Sequence, residues 1–112
     1  MFAAVFGLRT SSAQATPANI PAFWQALANC ETGGRWDWGR YHRKGEGHRY
    51  EGGLGFYAPT WTLWRRKVGV RFAHAWQAPP LVQIRVARYG LAHRGYGGCL
   101  HNHPSIYQLP GR

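Results

Sequence analysis

Two cysteines, Cys30 and Cys99, place the strongest constraint on how this chain of 112 residues can fold. A bridge between them would close a loop that holds most of the chain, and by loop entropy it would stabilise the folded state by ~4 kcal/mol. That is a large share of the total stability expected for a small domain. The alternative is a pair of reduced, buried thiols. Export from the cell would favour the bridge, because disulfides persist in oxidising compartments.

The first fifteen residues bear on export. Residues 1–8 are apolar but form a short run without a basic start, and residues 13–15 match the small-x-small pattern that precedes a signal-peptidase cut. We interpret residues 1–15 as a truncated signal peptide, with a disordered N-terminal tail as the alternative, and residues 16–20 as a linker. No apolar run is long enough to span a membrane. We therefore expect a secreted, extracellular protein without stable membrane insertion.

Helix signals divide the remaining chain. Apolar residues between Phe23 and Cys30 recur at spacings of three and four, and a glycine pair follows, which predicts a helix with Glu31 in its last turn. Prolines predict the starts of two more helices, one from Pro59 towards Gly69 and one from Pro80 to about His93. Three glycines among residues 50–56 predict a tight turn. These patterns predict a mostly helical α+β domain.

Acidic residues are scarce, and they are Glu31, Asp37, Glu46 and Glu51. Glu31 has the surroundings that best suit a catalytic acid, since the negative end of a helix dipole and aromatic neighbours both disfavour its charged form. Both effects raise the pKa of a carboxyl group, which keeps it protonated near neutral pH as a general acid requires. The alternative is a solvated glutamate at a helix end, paired with Arg35.

Three motifs in order resemble a known family. Residues 24–34 read WQALANCETGG and are followed by Trp36; residues 50–56 read YEGGLGF; Thr60 and Trp61 come next. They resemble the resuscitation-promoting factor domain, a transglycosylase-like branch of the lysozyme superfamily. Its pattern is a helix led by Trp, then Cys-Glu-Ser/Thr-Gly-Gly and Trp, then Tyr-x-Gly-Gly-Leu-Gln-Phe, then Ser/Thr-Thr-Trp. The resemblance covers residues 21–99, and Gly55 stands where the family has Gln.

The resemblance implies a small lysozyme-like domain over residues 21–99, with a substrate cleft, and leaves residues 100–112 as a C-terminal tail. It implies that Glu31 is the catalytic acid and that a Cys30–Cys99 disulfide anchors its helix to the end of the domain. The implied activity is cleavage of the β-1,4 bond between MurNAc and GlcNAc in bacterial peptidoglycan, either by lytic transglycosylation or by hydrolysis. A glycosidase that uses two carboxyl groups would need a second one, for which Asp37 and Glu51 are the candidates.

Aromatic, glycine and hydroxyl side chains around these motifs are the candidates for sugar contacts, because flat rings stack on hexose faces. The predicted substrate-binding residues are Trp36, Trp38, Tyr41, Tyr50, Gly53, Tyr57 and Thr60. The alternative for the aromatic residues is core packing, which we prefer for Trp61 and Trp64. The loop over 39–49 is longer and more basic than in the family. Its basic residues could hold carboxylates or phosphates of the cell wall, and the alternative is that they are simply solvated. They are Arg40, Arg43, Lys44 and Arg49.

The net charge of +10 predicts a partner that is a polyanion. A basic nucleic-acid binder would explain the charge but neither the cysteine pair nor the ordered motifs, so we expect no nucleic acid. The expected partners are peptidoglycan glycan strands, anionic wall polymers and, by resemblance alone, a peptidoglycan endopeptidase, with the chain acting as a monomer. We expect no cofactor, and no metal because no Cys or His spacing matches a structural zinc site. A non-catalytic peptidoglycan-binding module is the competing function, and Gly55 favours it.

Overall fold

The computed structural model describes residues 19–41 and 49–112. The segment interpreted as a signal peptide, most of the linker, and the centre of the basic loop with Arg43, Lys44 and Glu46 lie outside the described residues. The described part is an α+β arrangement dominated by helices, as predicted. Its elements are helix α1 (Ala22–Thr32), strands β1 (Tyr50–Glu51) and β2 (Phe56–Tyr57), helix α2 (Ala58–Lys67), a 3-10 turn (Ala75–Gln77), helix α3 (Pro80–His93), helix α4 (Cys99–Asn102) and a second 3-10 turn (Pro104–Gln108).

Helix α1 forms because its apolar residues fall on one stripe that faces the core. The buried members of this stripe are Phe23, Trp24, Leu27 and Ala28. The helix ends where Gly33 takes a left-handed conformation with φ 69°, and the amide of Gly34 returns to the Ala28 carbonyl at 3.0 Å. This termination places Glu31 in the last turn, which confirms the prediction.

The glycine-rich segment forms a two-stranded antiparallel hairpin. Tyr50 pairs with Tyr57 and Glu51 pairs with Phe56, with the turn over residues 52–55 between them. The turn is packed closely against α3, because the buried side chain of Gln83 accepts a hydrogen bond from the Gly53 amide at 2.9 Å. The predicted tight turn is therefore confirmed.

Helices α2 and α3 pack against each other and carry much of the core. Both begin with a proline in the first turn, as the sequence predicts. Trp61 and Trp64 are buried, which confirms core packing for both. The contact is close because Gly90 faces the Trp64 ring, where a Cβ atom would overlap the ring. No helix within residues 19–41 and 49–112 has the length and apolar character needed to cross a membrane.

The segment after Cys99 is part of the fold, and the expectation of a tail at residues 100–112 is wrong. Leu100 and Ile106 are only 1% and 8% exposed, because helix α4 and the second 3-10 turn pack against α1. The Pro110 carbonyl also accepts a hydrogen bond from the Phe23 amide at 3.0 Å. Isolated apolar residues among histidines and prolines show no periodicity, so their burial was not apparent from the sequence.

Cys30 and Cys99 form a disulfide, with their Cα atoms 6.1 Å apart. The bond joins the last turn of α1 to the first residue of α4. The prediction of a bridge is confirmed, and the alternative of two reduced thiols does not apply. This covalent link brings the end of α1 against the loop that precedes α4.

Candidate functional site

A cleft of about 570 Å³ opens where three segments meet. One segment is the end of α1 with the turns that follow it, the second is the hairpin, and the third is the loop that leads into α4. The lining residues are Glu31, Thr32, Trp38, Tyr50, Gly55, Tyr57, Tyr96, Gly97 and Gly98. The cleft is therefore built on the parts of the chain that the disulfide and the hairpin hold together.

Glu31 lies in the wall of this cleft. One hydrogen bond holds its carboxyl group, and contacts of the neighbouring residues Cys30 and Thr32 hold its backbone. Its Oε2 atom accepts a hydrogen bond from the Cys99 amide at 3.1 Å. The neighbouring Thr32 donates its hydroxyl to the Gly53 carbonyl at 2.8 Å, which ties the helix end to the hairpin. Together with the disulfide at Cys30, these contacts hold the Glu31 carboxyl group at the surface of the cleft.

Two glycines flank the Glu31 carboxyl group on opposite segments. A Cβ atom at Gly55 of the hairpin turn would lie 3.3 Å from Oε1, and a Cβ atom at Gly98 would lie 2.8 Å from Oε2. The carboxyl group thus occupies a narrow slot between backbone segments. Any side chain larger than hydrogen at Gly98 would displace it.

Burial raises the pKa of Glu31 above its ordinary value, because desolvation disfavours the charged carboxylate. The hydrogen bond from the Cys99 amide acts in the opposite direction and is the smaller effect. The direction agrees with the sequence prediction, and desolvation is its main physical cause. A carboxyl group in this state can hold a proton at a higher pH than a solvated glutamate can.

Aromatic rings form the walls of the cleft beyond Glu31. Trp38, Tyr50 and Tyr57 were predicted as sugar-contacting residues, and all three line the cleft. Tyr50 and Tyr57 are 55% and 40% exposed, so their ring surfaces are open to a ligand. The guanidinium groups of Arg35 and Arg49 lie over Trp38 and Tyr57, at 5.0 and 5.7 Å from the ring centres. The described part of the cleft therefore combines flat apolar surfaces with nearby positive charge.

Trp36 and Gly53 do not line the cleft, and the structure gives both a packing role. Trp36 is 1% exposed and lies against Gly53, where a Cβ atom would overlap its indole ring. The prediction that Trp36 contacts sugar is corrected, because its ring is buried in the core. Gly53 is buried too, and its carbonyl and amide are bonded to Thr32 and Gln83.

Tyr41 and Thr60 also lie away from the cleft lining. Tyr41 is 72% exposed and carries the guanidinium group of Arg40 at 5.2 Å from its ring centre. Thr60 is partly buried in the first turns of α2. Neither residue is brought next to Glu31, so the cleft contains only part of the predicted set of sugar-contacting residues.

The two candidates for a second carboxylate, Glu51 and Asp37, are buried outside the cleft lining. Glu51 is 9% exposed and accepts hydrogen bonds from the Ala75 amide and from His74 Nδ1, both at 2.9 Å. It therefore holds the hairpin to the loop before α3. Asp37 is 4% exposed. Among the described residues, Glu31 is the carboxyl group that lines the cleft.

Tyr96, Gly98 and Gln83 shape the site without having been predicted to do so. Tyr96 and Gly98 line the cleft beside Glu31, and Gln83 fixes the hairpin. In the sequence Tyr96 is one aromatic residue in a glycine-rich stretch, and Gln83 is one polar residue on an apolar helix face. The local signal that could have indicated Gln83 is a polar residue among the apolar positions of the third predicted helix, because polar residues are seldom buried without a structural reason.

The described residues contain no group of three or more His, Cys, Asp or Glu side chains placed to hold a metal ion. His101 in α4 and His103 directly after it are both exposed.

Comparison with known proteins extends over most of the chain. The family described as the transglycosylase-like domain matches residues 18–99. The chain is also 38% identical, over 97 residues, to resuscitation-promoting factor Rpf1 of Corynebacterium glutamicum. The alignment covers 86% of this chain and 44% of that relative, so the chain spans less than half of the relative's length. The family match covers residues 18–99, which is most of the chain, and the relative is 38% identical. The chain therefore belongs to the transglycosylase-like domain family of resuscitation-promoting factors.

Proposed function

We propose that this domain cleaves the β-1,4 bond between MurNAc and GlcNAc in bacterial peptidoglycan, with Glu31 as its general acid. The observation that carries the proposal is a carboxyl group with a raised pKa in the wall of an aromatic cleft. General acids work best when their pKa lies near the working pH. The family supports the substrate class, and the disulfide supports an extracellular location.

The mechanism we infer is lytic transglycosylation with one carboxyl group. Protonated Glu31 donates its proton to the glycosidic oxygen, and the bond from that oxygen to the anomeric carbon of MurNAc breaks. The resulting carboxylate then accepts the proton of the MurNAc 6-hydroxyl group, whose oxygen bonds to the same carbon and closes an anhydro ring. A retaining hydrolase would require a second carboxyl group ~5 Å from the first. The burial of Glu51 and Asp37 outside the cleft lining favours the single-acid route.

Trp38, Tyr50 and Tyr57 are the residues we propose to bind the glycan by stacking on its sugar rings. Arg35 and Arg49 lie over two of these rings. We infer that their positive charges attract the lactyl and peptide carboxylates of a bound strand. The same charges would attract phosphate groups of anionic wall polymers. Binding should therefore weaken as salt concentration rises.

A peptidoglycan-binding module without catalysis is the second candidate function. Gly55 favours it, because a glycine beside the Glu31 carboxyl group replaces the amide side chain of the family pattern. Glu31 would then contribute to binding alone. The two functions differ in whether soluble products are released.

The decisive experiment is mass spectrometry of soluble products from purified peptidoglycan, comparing the parent protein with Glu31→Gln. We expect anhydro-muropeptides from the parent and none from the variant. Glu51→Gln is the matched control, since it changes a buried glutamate outside the cleft lining and should still release product once its folding is verified. Muropeptides with reducing ends would mean hydrolysis. Wall binding without any release by the parent would support the binding module and contradict the proposed enzyme.

A further inference from the structure

Tyr96 presents a polar group that the proposed chemistry does not yet use. Its ring lines the cleft with Glu31, while its hydroxyl oxygen is buried and has no hydrogen-bond partner within residues 19–41 and 49–112. Buried hydroxyl groups are nearly always hydrogen-bonded, and an exception calls for an explanation. One explanation is that the hydroxyl group forms its hydrogen bond only in one state of the site, for example when a nearby carboxyl group is ionised.

The position of Tyr96 is fixed by its neighbours. Its ring meets the Trp64 indole edge-on at 6.1 Å, and Trp64 belongs to the core. Tyr96 also comes three residues before Cys99, whose amide donates to Glu31 and whose sulfur is bonded to Cys30. The loop that carries Tyr96 is thus the same loop that holds the carboxyl group of Glu31.

Tyr96 remains a neutral phenol near neutral pH. Burial raises its pKa above the ordinary value, and the negative charge of Glu31 raises it further. The geometric basis for pairing the phenol with the carboxyl group is that Tyr96 and Glu31 line the same cleft and that the Tyr96 hydroxyl group is buried without a partner among the described residues. A neutral phenol can donate a hydrogen bond to a carboxylate, and such charge-assisted bonds are stronger than neutral ones.

We propose that Tyr96 is a positioning residue that donates its hydroxyl hydrogen to the ionised carboxylate of Glu31. This inference rests on the proposed function, because the ionised state arises when Glu31 gives its proton to the leaving oxygen. The Cys99 amide supplies one donor to this carboxyl group, and the phenol supplies a second that strengthens as negative charge develops. Interactions that strengthen towards the transition state are the ones that accelerate a reaction.

Other groups around the cleft do not take this role. Tyr50 and Tyr57 also line the cleft, but they are 55% and 40% exposed, so neither is a buried phenol. The guanidinium groups of Arg35 and Arg49 lie over Trp38 and Tyr57. Tyr96 is the phenol of the described lining whose hydroxyl group is buried without a hydrogen-bond partner.

The test is a direct titration of Glu31 by NMR in protein labelled with ¹³C at the glutamate carboxyl carbons. The chain has three glutamates, so Glu31→Gln assigns the resonance by its disappearance. In Tyr96→Phe we expect the pKa of Glu31 to rise by about one unit, because a donor to the charged form is lost. Tyr89→Phe is the matched control, since Tyr89 also packs edge-on against Trp64 and does not line the cleft. An unchanged Glu31 titration in folded Tyr96→Phe overturns the proposal.

Three further measurements separate this inference from folding and from the proposed function. At an acid pH that keeps Glu31 protonated, Tyr96→Phe should unfold at the parent temperature or higher, since it removes a buried hydroxyl group that has no partner in that state. If that variant does not fold, 3-fluorotyrosine at position 96 provides a more acidic phenol of similar shape and should lower the Glu31 pKa; no shift overturns the proposal. Muropeptide release should fall about tenfold in Tyr96→Phe, with its alkaline limb moved to higher pH. Absence of release by the parent contradicts the proposed function, whereas the titration judges Tyr96 independently.

Discussion

At Gly98 the backbone adopts φ 57° and ψ −126°, a region that residues with a Cβ atom rarely enter. A Cβ atom there would also lie 2.8 Å from Glu31 Oε2. We expect Gly98→Ala to lower the free energy of unfolding by about 2 kcal/mol, in line with strained backbone of this kind. It should also abolish muropeptide release, because the carboxyl group must leave its slot. Chemical denaturation and product analysis measure the two effects.

Gly97 provides the control for that substitution. Its φ is not positive, and nothing lies within 4 Å of a Cβ atom built on it. Gly97→Ala should therefore leave the midpoint of unfolding close to that of the parent protein. Equal stability losses at the two positions would show that the loss at Gly98 does not come from its backbone conformation or from its close approach to Glu31.

Glu31 should reduce stability at neutral pH, although it is the residue the proposed chemistry needs. Its pKa is raised in the folded protein above the ordinary 4.5, so the folded state binds the proton more tightly than the unfolded chain does. Stability from this group is thus greatest in acid and falls as pH rises through the raised pKa. Glu31→Gln should be more stable than the parent at pH 7 and nearly equal at pH 4. Thermal unfolding of both proteins at the two pH values measures the difference, and a less stable variant at pH 7 would contradict the burial of this carboxyl group.

Among the elements, the hairpin depends on one side chain of α3. Gln83 is fully buried, accepts from the Gly53 amide, and donates to the Trp36 and Ala78 carbonyls at 2.8 and 2.9 Å. Gln83→Ala would leave these three backbone groups unpaired beside a cavity. We expect a loss of about 4 kcal/mol in the free energy of unfolding, measured by urea denaturation.

The matched control for Gln83 is Gln77, which is exposed and accepts one hydrogen bond from the His74 amide at 2.9 Å. Gln77→Ala should lose less than about 1 kcal/mol, because water can replace an exposed partner. Similar losses for both variants would contradict the role of Gln83 as the link between α3 and the hairpin.

The elements show how far the sequence alone could predict this fold and site. Helix limits followed from local signals, since prolines and glycines act on their own backbone. Glu31 was selected because it lies at the end of such a helix and because residues 24–34 resemble the family pattern. The burial of Trp36 and the distance of Glu51 from the cleft lining could not be predicted in this way. Both depend on which face of the hairpin meets α3, and that is decided by Gln83, 30 residues beyond Gly53.

At the scale of the whole molecule, the residues after Cys99 also take their place through contacts with distant residues and not through local sequence signals. Leu100 and Ile106 become core residues only because the disulfide and α4 bring them beneath α1. A local pattern of two isolated apolar residues contains no information about that position. The family resemblance supplied the bridge, and the three-dimensional structure showed that the segment beyond it completes the core.

The disulfide should therefore control both the stability of the domain and the state of its acid. It joins positions 69 residues apart, and loop entropy predicts a stabilisation of ~4 kcal/mol for a loop of this size. Replacing both Cys30 and Cys99 by Ser should lower the free energy of unfolding by about this amount, as measured by urea denaturation.

Loss of the bridge should also affect Glu31, because the Cys99 amide that donates to its carboxyl group is held there by the bridge. At a temperature where the double variant remains folded, we expect muropeptide release to fall more than its folded fraction does. Dithiothreitol should reproduce both effects in the parent protein and neither in the double variant, which has no bridge to reduce. If release instead follows the folded fraction alone, the bridge stabilises the chain without positioning the acid, and the hairpin contact of Thr32 with Gly53 is sufficient to hold Glu31 in the cleft.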